Sequence, residues 1–205
     1  MKSSEALADI IARNLEQSLR VLPEGFLDTF RFTRTGSNYT HPVVLGLLAR
    51  VLWNLEGVRH VGIDVRFNHG DGAQFQPDLV AFGDLPEKPL VFVDYASPNS
   101  SDARVPEKDV DSYVRWRDGG GMAAPYVIVT TLPDKPSPAW ELRWTHGDYC
   151  NSRFKGQEEE LRQNPLRCWL PHYRKEFAKR DMIGIVVLNV SGTAVSRVHP
   201  PKPAC

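Results

Sequence analysis

The chain has 205 residues, 41% hydrophobic and 24% charged, with 25 basic and 25 acidic side chains. That composition suits one substantial globular core, and a formal net charge of zero excludes capture of nucleic acid or membrane by bulk charge, so any such contact must come from local clustering. The three cysteines, Cys150, Cys168 and Cys205, form no CxxC pair. With no apolar leader and no membrane-length apolar run, the expectation is a soluble cytoplasmic protein without a disulfide framework.

Residues 4–21 place Leu7, Ile10, Ile11, Leu15 and Leu19 at helical spacing behind Ser3 or Ser4 as a cap, and Pro23 ends the helix. Residues 26–34 alternate only in part and read either as a strand or as an extended arm. From Val43 to Leu55 the chain is almost wholly apolar, which predicts a helix buried on most of its circumference, with Thr40 or His41 as cap and Pro42 at its first position. Val61, Ile63, Val65 and Phe67 then alternate with polar residues as a half-buried strand, closed by the turn 68–72.

Two dense apolar runs follow, 75–82 and 89–96, and each carries one acid, Asp78 and Asp94. Pro77 is tolerated only near a strand start or edge, and the cluster 97–102 cannot continue a strand. A helix is expected from Pro106 to about 118, with Lys108 in its first turn and Gly119, Gly120 and Gly121 as its stop. Residues 125–131 form a continuous apolar run that suits a central strand covered on both faces. The order is helix, three strands, helix, strand. Two carboxylates on adjacent strands and one ammonium at a helix start can therefore converge.

These residues resemble the PD-(D/E)XK nuclease superfamily, whose motif is Pro-Asp on one strand and an acid, any residue and a lysine on the next. Pro77-Asp78 matches the first half and Asp94 the acid, while Ala96 stands where the lysine belongs. Asp94 ahead of Ser97-Pro98, with Lys108 in the following helix, is similar to the Uma-two branch, in which the lysine has moved to that helix; Tyr113 lies one residue from that branch's tyrosine. The resemblance spans residues 41–131 and implies an α/β fold with an αβββαβ restriction-endonuclease-like core. The divisions expected are an amino-terminal helix and arm (1–39), the nuclease-like core (40–131), a carboxy-terminal α+β elaboration packed on the core (132–198) and a mobile tail (199–205).

The activity implied is hydrolysis of DNA phosphodiester bonds with Mg2+, or Mn2+ in its place, held by Asp78, Asp94 and the carbonyl of Tyr95, with Lys108 acting on the attacking water. No Asp or Glu lies between Val43 and Leu55, where the superfamily supplies a further acid; Glu24 and Asp28 precede that helix. His41 reads as a cap or as a donor to a phosphate. Arg174 and Lys175, on the basic face of a helix expected over 166–180, are candidates for nucleic-acid contact, although most such faces are merely solvated. The competing reading is an inactive nuclease-fold module that binds nucleic acid or a protein partner, and a homodimer or a system partner chain fits either. His146, Cys150, Cys168 and His172 match no short zinc spacing, and Walker, GxGxxG, GxSxG and HExxH motifs are missing. The last strands are expected over 183–190 and 193–198, joined across Ser191-Gly192.

Overall fold

A computed structural model describes residues 3–23, 26, 40–68, 74–85, 88–96, 106–134 and 154–201. The elements are α1 (Ser4–Arg20), α2 (Thr40–Trp53), β1 (His60–Ile63), β2 (Phe67–Asn68), β3 (Gln74–Phe75), β4 (Leu79–Phe82), β5 (Pro89–Tyr95), α3 (Glu107–Asp118), β6 (Tyr126–Thr130), α4 (Glu158–Gln163), α5 (Pro165–Phe177), β7 (Ile185–Ser191) and β8 (Ala194–His199). Six strands make one mixed sheet in the order β1-β4-β5-β6-β7-β8, and β2 pairs with β3 beside it. The pairs β1–β4, β4–β5 and β7–β8 are antiparallel, whereas β5–β6 and β6–β7 are parallel. Parallel neighbours need a crossover, and α3 supplies the one between β5 and β6.

Each sheet face has its own core. Ala8, Ile11, Leu15 and Leu19 of α1 and Val44, Leu48, Val51 and Leu52 of α2 recur at three- and four-residue steps, so one stripe of each helix is buried on the face built from Val91, Val93, Val127 and Val129. Ser3 Oγ accepts the Ala6 N–H at 3.2 Å and caps α1. On the other face, Phe92, Tyr126 and Ile128 pack against Val110, Tyr113 and Trp116 of α3 and Trp169, Tyr173 and Phe177 of α5. Phe75 meets Phe92 and Tyr126 edge to face there, an arrangement that aligns ring edges with ring faces. Strands β5, β6 and β7 are covered on both sides, which is why their sequences run apolar without alternation.

Two expected strands are broken. The run 61–67 stops at Ile63 because Asp64 takes a positive φ of 52°, a conformation no strand contains, and the chain re-enters as β2. The run 75–82 divides into β3 and β4, because Pro77 lacks the N–H a ladder would use. α3 begins at Glu107, with Pro106 as its N-cap rather than its first residue. β7 and β8 continue the main sheet beyond β6, so the chain after residue 132 contributes directly to it. The readings placed on Glu24, Asp28, residues 27–34 of the arm, Ser97-Pro98, His146, Cys150 and Cys205 lie outside the described residues. Among the described residues, no helix is long and apolar enough to cross a membrane.

Candidate functional site

The candidate site lies at the carboxy-terminal end of β5, where β4 begins and α3 starts its return. Leu79 is paired with Val93, so one step further along the antiparallel register Asp78 stands opposite Asp94. The two acids brace each other's strands. The Asp78 N–H donates to Asp94 Oδ1 at 2.6 Å, and the Tyr95 N–H donates to Asp78 Oδ2 at 2.7 Å. The second oxygen of Asp94 accepts the hydroxyl of Tyr126, which reaches along β6 from that strand's first residue. Asp94 is only 7% exposed, whereas the Asp78 side chain is 20% exposed and forms the open side of the pair.

Both helices that frame this end contribute. From the first turn of α2, His41 Nε2 lies 3.5 Å from Asp78 Oδ2, and its ring sits 5.5 Å from that of Tyr95. The Tyr95 hydroxyl shares a 2.7 Å hydrogen bond with Thr131 Oγ1 just beyond β6. From the first turn of α3, Lys108 Nζ is 3.9 Å from Asp109 Oδ1, with the lysine side chain 41% exposed. Lys108 also borders a cleft of about 320 Å³ between α3 and α5, whose walls include Glu107, Asp111, His172, Glu176 and Arg180.

Charge is concentrated around Asp94. Burial pushes its carboxyl well above the usual range, and the charges of Asp109 and then Asp78 push the same way, while the hydrogen bonds from Tyr126 and the Asp78 backbone oppose them. Burial, followed by the charge of Asp94, holds the Tyr126 phenol well up. His41 is raised, chiefly by its hydrogen bond to Asp78, against the opposing effect of burial.

The structure therefore brings Asp78, Asp94, Tyr95 and His41 together, while Lys108 lies against its neighbour Asp109 and lines the cleft between α3 and α5. Arg174 and Lys175 are exposed on α5. Their neighbours on that basic face are partly neutralised, since Arg180 binds Asp111 at 2.7 Å and Lys179 binds Glu176 at 2.6 Å. Tyr113, the residue one step off the Uma-two spacing, is buried and donates its hydroxyl to the Ala124 carbonyl at 2.6 Å. Two participants are hidden in the sequence. Tyr126 reads as one more residue of an apolar strand, and Asp109 as a helix-start acid beside Lys108. A phenol opening a buried strand is the available signal, because a buried hydroxyl needs a partner. His172, weighed for zinc, instead meets Glu107 Oε1 at 3.1 Å, and Cys168 is a buried free thiol.

Compared with family models, with curated proteins and with solved structures, the chain matches none.

Proposed function

We propose that the chain is a divalent-metal-dependent nuclease-like protein that hydrolyses phosphodiester bonds, with DNA as the favoured substrate. The observation that carries this reading is the opposition of Asp78 and Asp94 on adjacent antiparallel strands, followed in the chain by α3 and the parallel strand β6. In the main sheet, with the β2–β3 pair set aside, the order is α2, the antiparallel strands β1, β4 and β5, α3 and the parallel strand β6, which supports an αβββαβ restriction-endonuclease-like core.

The donor set suits a hard cation held sparingly. Among the described residues no group of three His, Cys, Asp or Glu side chains stands close enough to form a protein cage. Magnesium commonly takes one or two carboxylates and completes its shell with water and phosphate oxygens. Asp78, Asp94 and the Tyr95 carbonyl would hold it, and when bound it supplies charge neutralisation and a more acidic water. Asp78, the more exposed acid, is the one a solvent ligand reaches first. His41 faces the same carboxylate and can donate a hydrogen bond to a phosphate oxygen. Lys108, in the first turn of α3 beside Asp109, would stabilise negative charge on the substrate or orient a water.

A second reading, an inactive module that binds nucleic acid or a protein, draws on two observations. Ala96 occupies the motif's lysine position, and both oxygens of Asp94 already accept hydrogen bonds from the protein. Plasmid nicking and linearisation with Mg2+ or Mn2+ separates the readings. The nuclease reading expects cleavage by the wild type, none by Asp94→Asn, and a loss of about 10² to 10⁴ in rate for Lys108→Ala. Nucleic-acid binding without cleavage of duplex, single-stranded DNA or RNA supports the module. Equal cleavage by all three proteins removes Asp94 and Lys108 from any catalytic role.

A further inference from the structure

Tyr126 opens β6 as the one phenol in that apolar strand, and it is fully buried. Register places Tyr126 beside Phe92 and Ile128 beside Asp94, so the phenol starts two residues, about 6.6 Å along the sheet, from the carboxylate that accepts its hydroxyl. A tyrosine lying along the strand covers that span. Its ring is clamped on two sides. Tyr113 lies 4.8 Å away, centroid to centroid and 36° from parallel, and Phe75 meets it edge to face at 5.6 Å and 88°. The Tyr126 N–H donates to the Gly184 carbonyl at 2.9 Å and fixes the backbone beneath.

A phenylalanine would fill the same space, so packing does not account for the hydroxyl. Asp94 does. The last torsion of an aspartate is broad and roughly two-fold, and a single donor leaves the carboxylate plane free to swing about the held oxygen. Asp94 has a donor on each oxygen, the Asp78 N–H on Oδ1 and the Tyr126 O–H on Oδ2, and the two together fix the plane. An ionised carboxylate has about four lone-pair sites, so these donors still leave room on both oxygens.

We propose, resting on the metal reading of Asp78 and Asp94, that Tyr126 is a positioning residue for a divalent cation: its hydroxyl holds the Asp94 carboxylate in the orientation in which the remaining lone pairs meet the ion. The occupied oxygens of Asp94 are then part of the site rather than an obstacle to it. Ligating carboxylates are themselves commonly hydrogen-bonded, and losing such a partner typically weakens metal binding about 10- to 100-fold. Tyr113 and Phe75 act one step further back, by aiming the phenol.

Mn2+ binding to the folded full chain, followed by isothermal titration and by the electron paramagnetic resonance of free Mn2+, tests this in wild type, Tyr126→Phe and Tyr113→Phe. Tyr126→Phe is expected to bind about 10- to 100-fold more weakly than wild type. Tyr113→Phe also removes a buried hydroxyl, bonded to the Ala124 carbonyl at 2.6 Å, but it keeps the clamping ring, so its affinity should stay that of wild type. A Tyr126→Phe that binds Mn2+ as tightly as wild type, or more tightly, overturns the positioning role and leaves the metal reading standing. An equal loss in Tyr113→Phe does the same, because it points to general softening of the aromatic core. A wild type that binds no Mn2+ overturns the metal reading and the positioning role together. Wild-type crystals soaked in Mn2+ give a second measurement that needs no variant to fold. Asp94 should ligate the ion with the Tyr126 hydroxyl still on Oδ2; an ion that displaces the hydroxyl sinks the positioning role, and an ion seated away from Asp94 sinks both.

Discussion

Asp78 and Asp94 are each held by a backbone N–H that belongs to the other's strand, Asp94 Oδ1 by Asp78 N–H at 2.6 Å and Asp78 Oδ2 by Tyr95 N–H at 2.7 Å. The pair is therefore part of the sheet as much as part of a site. Replacing either acid has a structural consequence that can be separated from a chemical one.

Asp94→Asn is expected to stabilise the apo-protein. The amide keeps an oxygen for the Asp78 N–H, and the Tyr126 hydroxyl can rotate to accept from the new NH₂ group. The wild-type carboxyl is raised in the folded chain by burial and by Asp109 and Asp78. The folded state therefore retains a proton that the unfolded chain loses at about pH 3.9, and stability falls as pH climbs from there through the folded pKa. The Asp94→Asn variant lacks that slope. The two proteins should melt alike near pH 4 and diverge above it, with about 2–4 °C of advantage for each kcal/mol in a chain of this length. Melting curves from pH 4 to 8 check it, and a variant that melts lower at pH 8 refutes it.

Tyr126→Phe removes the hydroxyl that Asp94 Oδ2 accepts. Without it the buried carboxyl loses a partner, which costs about 1–3 kcal/mol, and the loss should be smaller in the Asp94→Asn background. Urea unfolding of the four proteins in the cycle measures the coupling.

Asn189 ties the exit of β6 to β7, accepting the Leu132 N–H at 2.8 Å and donating to the Leu132 carbonyl at 3.0 Å while itself buried. Asn189→Ala orphans two backbone groups and is expected to cost about 2–4 kcal/mol. Asn189→Asp keeps the acceptor and loses the donor, so it should cost more at pH 8, where its buried carboxylate faces a carbonyl, than at pH 4. Denaturant midpoints at the two pH values test the order.

Much of the fold was legible because it follows from local rules. Ser3 ahead of an amphipathic run marked α1, the apolar runs marked β5, β6 and β7, and Ser191-Gly192 marked the turn between β7 and β8. The glycine run after α3 was legible as a stop, and its last member shows the local reason: a Cβ at Gly121 would stand 2.4 Å from the Trp116 ring. The register that opposes Asp78 to Asp94 follows from two strands of known phase. The remainder depends on contacts that no window of sequence contains. Asp64 breaks a well-patterned strand through a backbone conformation, and Tyr126 meets Asp94 across 32 positions. Asp109 matters only because the crossover returns the start of α3 to the end of β5.

Divalent ions should raise the melting temperature if the acidic pair holds one. An ion at about 100 times its Kd adds about 2.7 kcal/mol to a site present only in the folded chain, or about 5–10 °C here. Melting curves with and without Mg2+ or Mn2+ are to be compared for wild type, Asp78→Asn, Asp94→Asn and Lys108→Ala. The expected pattern is a shift in wild type and Lys108→Ala and none in the two Asn variants, because the ammonium is not a ligand and each carboxylate is. Asp78→Asn should also lose a little baseline stability, since its more exposed carboxylate faces His41 at 3.5 Å and has less repulsion to relieve than Asp94. A shift equal in all four proteins places ion binding elsewhere on the surface. A wild type that no divalent ion stabilises, yet that binds DNA or RNA, leaves Asp78 and Asp94 as the brace between β4 and β5 and favours the binding module. The same experiment does not depend on finding a cleavable substrate, so it can sink the metal reading without an assay of activity.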